Sequence, residues 1–346
     1  MIQSITFTNQ FGRSIRCKLG EPEKTGLAIS KVTGLGPGMS SMNIHNIATA
    51  DGGYYGSARY PSRNIVLTIL LLDYDGDGNY IPIENTRLLS YEFFSPKTKL
   101  QIVVETDTRN LVIEGHIESN EPEIFSQKES ISVSILCPDY YFKMVSDTGD
   151  TQDATIYGEG LFQFPFSNES TEQKLIQFGD IETTHEHNLY YDGDAENGCV
   201  IEIDFKGSEV TGMSIMNEPI GNSDKGPVGF DQESDAERAV YHWRDTDISA
   251  KYLAISLSTI ATKLSGRYNG NIYGAGNKII ISSMVGKKSA FFYDSSNNAY
   301  NILNCFDHLD WLKLYPGYNK LKIQTDQTSI MRFSIKVTYS ALYIGV

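Results

Sequence analysis

Apolar and polar residues alternate one by one in short runs along almost the whole chain. The first such runs are "SITFTN" (4–9), "SIRCKL" (14–19), "LAISKVTG" (27–34), "KLQIVVETD" (99–107), "NLVIEGHIES" (110–119) and "ISVSILCP" (131–138). Successive side chains of a strand point to opposite faces, so a period of two buries one face of a sheet and wets the other. Each run is bounded by Gly, Asn, Asp or Pro, and short strands punctuated in this way connect as antiparallel hairpins. The clearest pair is 99–107 with 110–119, joined through "TDTRN".

One segment departs from this period. From Pro82, "PIENTRLLSYEFF" sets Ile83, Leu88, Leu89, Tyr91 and Phe93 roughly on one face, with Pro first and acids early, as a short helix requires. Beyond 145 the chain turns polar in "VSDTGDTQDATIYGEG", which reads as a linker or inter-domain strand. Alternation then resumes in "CVIEIDFKGSEV" (199–210), "YLAISLSTIATKL" (252–264), "NKIIISSM" (277–284), "SAFFYD" (289–294), "NKLKIQTD" (319–326) and "MRFSIKVTYSALYIGV" (331–346), while 216–250 reads as a polar surface excursion. A chain of 346 residues exceeds one comfortable core. The expectation is an all-β protein with one short helix and two domains, 1–145 and 146–346, the first β-sandwich-like and the second a β-sandwich.

Charge narrows the function. The formal net charge of −14 argues against nucleic acid as the main ligand, because phosphate binding needs a basic surface and Lys and Arg are scattered here. The longest apolar run, "IVLTILLL" (65–72), has the length of a strand, so no membrane insertion is expected. "MIQSITFTNQFG" lacks the basic and apolar regions of a signal peptide and reads as a strand. Cys17, Cys137, Cys199 and Cys305 are far apart with no CxxC, and are expected as reduced core thiols.

Two stretches carry metal-like spacing. "DYDGDGNYIPIE" (73–84) matches D-x-[DN]-x-[DN]-G-x5-E, in which three short carboxylates, a left-handed Gly and a distal Glu wrap a calcium ion. A strand enters it rather than a helix, and Asp-Gly repeats also serve any strand-to-helix turn, so Asp73 to Glu84 reads either as a calcium loop or as a turn alone. "HEH" puts His185 and His187 on one strand face with no third ligand nearby. There is no HExxH, GxSxG or phosphate-loop signature and no identifiable acid pair, so neither an enzyme nor a bound cofactor is expected.

Residues 34–64, "GLGPGMSSMNIHNIATADGGYYGSARYPSRN", lack strong periodicity and form an unusually long connection for a compact domain. Met39, Met42, Ile44, Ile47, Tyr54 and Tyr55 are too apolar for a solvated linker. They read as an arm lying on another surface, or as a loop packed on its own domain. Met39, Met42, Tyr54, Tyr55, Arg59 and Arg63 are the candidate subunit contacts; the two arginines read equally as residues flanking a strand.

The opening strand "MIQSITFTNQFG", the arm "KVTGLGPGMSSMNIHNIATADGGYY" leading into "ARYPSRNIVLTILLL", and "FFSPKTKLQIVVETDTRNLVIEGHIESNEPEIFSQKESISVSILCPDYYF" together resemble the ring-forming domain of the phage distal tail protein family. In the second half "NKIIISSMVGKKSAFF", "WLKLYPGYNKLKIQTD" and "FSIKVTYSALYIGV" resemble that family's galectin-like β-sandwich. The resemblance implies a structural virion protein, a homohexameric hub at the distal end of the tail in the tip or baseplate, assembled in the host cytoplasm. Its implied partners are the tail tube protein, the tail-tip or tail-associated lysin protein, and receptor-binding or other baseplate proteins. At about 200 residues the second domain exceeds the roughly 100 of a simple sandwich. A second reading makes that sandwich a carbohydrate-binding module for host-surface glycans, through Tyr190, Tyr191 or Tyr273, although the galectin-type H-x-N-x-R cluster is absent.

Overall fold

The computed structural model describes residues 2–18, 20–47, 51–123, 128–145, 152–158, 184–207, 212–219, 251–306, 308–325 and 333–346. The chain forms two compact units, Met1–Asp150 with Leu342–Val346, and Thr151–Ala341. The second unit is thus inserted before the last five residues of the first, whereas the alternation alone assigns everything after 145 to one domain. Part of the expected linker (146–151) and most of the expected excursion (220–250) lie outside the described residues.

In the first unit the strands are β1 (Ile2–Asn9), β2 (Ser14–Lys18), β3 (Leu27–Thr33), β4 (Ser41–Asn46), β5 (Gly53–Arg59), β6 (Arg63–Leu71), β7 (Lys99–Thr106), β8 (Asn110–Glu123), β9 (Ser130–Cys137) and β10 (Phe142–Met144). The main sheet runs β2-β1-β7-β8-β9-β6-β3, antiparallel throughout. The expected hairpin is present, with Lys99 opposite His116 and Glu105 opposite Asn110. A bulge at Ile117/Ser119 bends the long β8, which pairs with β7 through its first half and with β9 through its second. The sheet curls until its ends approach, and the Gly20 amide donates to the Ile29 carbonyl at 2.8 Å. Phe7, Ile65, Leu67, Ile102, Val133 and Ile135 fill the interior.

The helix α1 (Ile83–Phe93) forms where expected but buries a different face. Thr86, Ser90 and Phe93 turn inward, while Leu88 and Tyr91 are exposed. Hydrogen bonding explains the choice. Thr86 Oγ1 donates to the Leu72 carbonyl, and Asn120 Nδ2 donates to the Ser90 and Phe94 carbonyls, 3.3 and 3.2 Å away. Buried carbonyls need partners, so the small polar side of the helix faces the sheet.

The second unit contains a six-stranded and a five-stranded sheet. Each buries alternate residues, for example Ile201, Ile203 and Phe205 in one and Leu321 and Ile323 in the other. Tyr191 and Tyr339 meet across the two sheets with ring centroids 5.8 Å apart, as in a β-sandwich. A second helix, α2 (Leu257–Leu264), takes over after the strand Lys251–Ser256, where alternation predicts one strand over 252–264. Ile260 and Leu264, four apart, are both buried, a helical period hidden inside an alternating run. "MRFSIKVTYSALYIGV" also divides. Phe333–Tyr339 sits inside the six-stranded sheet, and Leu342–Tyr343 pairs with β10 in the first unit. All four cysteines are free and buried, and burial pushes the Cys17 and Cys137 thiols up to about 12.

Candidate functional site

β4 and β5 form a two-stranded ribbon with every residue exposed and, among the described residues, no other strand beside it. The region that the sequence presents as aperiodic is therefore a hairpin with a broken period. Its ladder pairs Met42 with Ala58 and Asn43 with Ser57, then slips so that Ile44 faces Tyr55 and His45 faces Tyr54. The slipped residue is Gly56. A Cβ there would come within 2.9 Å of His45 Nε2 and 3.2 Å of the Asn43 carbonyl oxygen.

The bulge sorts the side chains into two faces. Opposed residues of an antiparallel pair share a face, so Met42, Ile44, Tyr55 and Ala58 form an apolar side. Ser41, Asn43, His45, Tyr54, Ser57 and Arg59 form a polar side, on which the His45 and Tyr54 rings stack with centroids 5.0 Å apart. Without the slip Tyr55 would fall among the polar residues. Met42, Ile44 and Tyr55 are 62%, 57% and 63% exposed, and Met39, just before the ribbon, is 89% exposed. A lone two-stranded hairpin is marginal in water, and this one offers an apolar face with nothing described upon it.

Of the six expected contact residues, Met39, Met42, Tyr54, Tyr55 and Arg59 lie exposed on or beside the ribbon. Arg63 does not. It is 4% exposed, and its guanidinium donates to the carbonyls of Gly34, Gly36, Tyr140 and Ile344 at 2.5 to 2.8 Å. The same group lies over the rings of Tyr140 and Phe142, 4.4 and 4.8 Å from their centroids. Its donors are used inside the chain, so it is removed from the set of contact candidates. The signal was in β6, where Arg63 falls in phase with buried Ile65, Leu67, Ile69 and Leu71.

The aspartate loop closes on itself. Asp75 Oδ1 accepts the amides of Asp77 and Asn79, and its Oδ2 accepts Asn79 Nδ2 at 3.0 Å. The same arrangement recurs in the second unit, where Asp294 accepts the amides of Ser296 and Asn298 and the side chain of Asn298. In both loops the fourth residue, Gly78 or Asn297, has positive φ, +80° and +63°. Asn9 takes the amides of Phe11 and Arg13 in the β1–β2 turn, with Gly12 at +76°. The shared element is a hairpin turn with an Asx residue first and a left-handed residue fourth. Hydrogen bonds from Asn79 and Asn298 hold the Asp75 and Asp294 carboxyls below the usual aspartate range. Among the described residues no group of three or more His, Cys, Asp or Glu is placed to hold a metal ion, at this loop or at His187.

The glycan candidates separate in the same way. Tyr190 is exposed and packs its edge on Tyr318, but Tyr191 is fully buried, its hydroxyl donating to the Ala195 carbonyl. Tyr191 is therefore a core residue. Trp311 is half-buried beneath the Lys288 ammonium, and Trp243 lies outside the described residues.

The solved structure of the SPP1 Dit (gp 19.1) protein, a hub of the adsorption apparatus in phages infecting Gram-positive bacteria, aligns with 97% of this chain and 98% of its own. The TM-score is 0.55 and the identity 13%. The chain has the Dit fold. A phage P2 baseplate structure, in its activated conformation with Ca, covers 99% of each chain at 12% identity and a TM-score of 0.39. No protein-family model matches the chain, and no curated protein is significantly similar to it. The alignment with the SPP1 Dit structure runs over both units. Among the described residues no helix of this Dit fold is long and apolar enough to cross a membrane.

Proposed function

We propose that this chain is a structural hub of a phage tail, six copies of which close a ring between the tail tube and the tail tip. The observation that carries this reading is the end-to-end agreement in fold with the SPP1 Dit protein, over 97% of one chain and 98% of the other. The ribbon supplies the means of association. An exposed apolar face of Met42, Ile44, Tyr55 and Ala58 gains stability when a neighbouring copy covers it, and a ring leaves no ribbon uncovered. In this reading the ring meets the tube protein on one side and the tail-tip or lysin component on the other, and the second unit carries receptor-binding or other baseplate proteins. The role is one of assembly in the virion, with no catalysis and no cofactor.

The test is the mass of the purified chain by light scattering across concentrations, with negative-stain imaging of the largest species. A six-fold ring is the expected result, and removal of residues 36–58 is expected to abolish it while the curled sheet stays folded. A strict monomer at every concentration, with or without tube protein, overturns the proposal. Rings that persist after the deletion overturn the role of the ribbon.

A further inference from the structure

The ribbon leaves the curled sheet through two roots, residues 34–38 before β4 and Tyr60–Arg63 after β5. One guanidinium joins them. Arg63, on the second root, donates through Nη1 to Gly34 and Gly36 on the first, 2.6 and 2.7 Å away. Its Nε donates to Tyr140 in the turn between β9 and β10, at 2.8 Å. Tyr140 grips both roots in turn: its hydroxyl accepts the Gly38 amide at 2.7 Å, and its ring stacks on Tyr60 with centroids 4.2 Å apart.

The remaining donor reaches the far end of the sequence. Arg63 Nη2 donates to the Ile344 carbonyl, and the Val346 amide donates to the Leu35 carbonyl at 3.1 Å. Gly345 lies so close to the first root that a Cβ would stand 3.2 Å from the Leu35 carbonyl oxygen and 3.2 Å from Pro37 Cδ. Residues Leu342–Val346 belong to the first unit yet follow the whole of the second. The first root is therefore completed only when the chain has returned.

We infer that Arg63 is a positioning residue for the ribbon and that the returning segment Ile344–Val346 is its third anchor, so that the ribbon's direction is fixed by a part of the chain that lies beyond the second unit. A planar fork with donors aimed at separate carbonyls suits this role, and a lysine, a single point of donors on a flexible stem, cannot hold the same set. Displacing the returning segment withdraws one acceptor from Arg63 and one donor from Leu35. The clamp that joins the two roots then loses its third anchor while the ladders of β6 with β3 and β9 stay intact. The inference deepens the proposed function, because it concerns the surface by which copies associate, but it is a property of the single chain and is read there.

The experiment is amide hydrogen exchange on the full chain at concentrations where it is monomeric, with three variants: removal of residues 344–346, Gly345→Val and Arg63→Lys. The expected result is exchange at the Gly38 amide faster by about tenfold or more in all three, with the amides of Ile65 and Leu67 unchanged. Unchanged exchange at Gly38 in the first two variants overturns the inference. So does parallel loosening of Ile65 and Leu67, which makes the segment a general support of the sheet. Because none of these readings uses assembly, a failure to form rings leaves them standing, and their failure leaves the ring proposal standing.

Discussion

β4 and β6 flank β5 in the chain and both alternate apolar with polar residues, yet they meet opposite fates. In β6, Ile65, Leu67 and Ile69 are wholly buried between strands on either side. In β4, Met42 and Ile44 carry comparable apolar surface and stand in the open. The difference is neighbours rather than composition. A strand inside a curled sheet has its face covered within the chain, and a ribbon beyond the sheet has only what comes to it from outside. Alternation that the fold leaves exposed therefore points to association.

The largest expected effect tests this contrast directly. Leu67→Ala is expected to cost about 2 to 5 kcal/mol in a urea melt, as removal of a buried leucine side chain does, whereas Ile44→Ala is expected to stay within about 0.5 kcal/mol in the monomer. An Ile44 cost equal to that of Leu67 shows that the ribbon is already covered within one chain and breaks the comparison.

Next in size is association. Replacing Met42, Ile44 and Tyr55 together by Ser is expected to abolish self-association in light scattering without moving the monomer melt. The polar-face change of His45 and Tyr54 to Ser is expected to weaken it far less. Equal losses from both sets remove the distinction between the faces. Gly56→Val sharpens the same point through the backbone: its side chain meets the His45 ring and the Asn43 carbonyl, so the ladder must shift. The expected result is association weaker by about tenfold, or about 1.4 kcal/mol.

The smallest effect concerns the paired turns. Asp75 and Asp294 have carboxyl pKa values depressed by hydrogen bonds, so the support they give their turns is present above the ordinary aspartate value and fades as pH falls through the depressed one. Carboxyl carbon NMR is expected to place both midpoints below the usual range. Added calcium is expected to move Asp75 no more than Asp294, whose turn "DSSNN" has no second acid. A shift confined to Asp75 establishes calcium binding at Asp73–Glu84.

Most strands, the turns between them and the presence of α1 were legible because period, Pro and Gly act over a few residues, whereas β4, β5 and α2 were not. Nor were other features. The buried face of the helix meets the Leu72 carbonyl after β6 and the Asn120 side chain of β8, partners far from it in sequence. The calcium-like spacing of "DYDGDG" proved indistinguishable by sequence from an Asx hairpin turn, because both need a carboxylate first and a left-handed residue within the loop. Tyr190 and Tyr191 are adjacent and chemically alike, and only the packing of two sheets separates an exposed ring from a buried one.

Local chemistry determined which segments are extended, where they turn and that most of them bury one face. Tertiary structure alone decided the return of Leu342–Val346 to the first unit, the inward use of Arg63 and the slip at Gly56 that makes the ribbon two-faced. The physical reason is range. Backbone preference and side-chain alternation are set by neighbours in sequence, whereas burial, register and hydrogen-bond partners depend on groups that only folding brings within about 3 Å of one another.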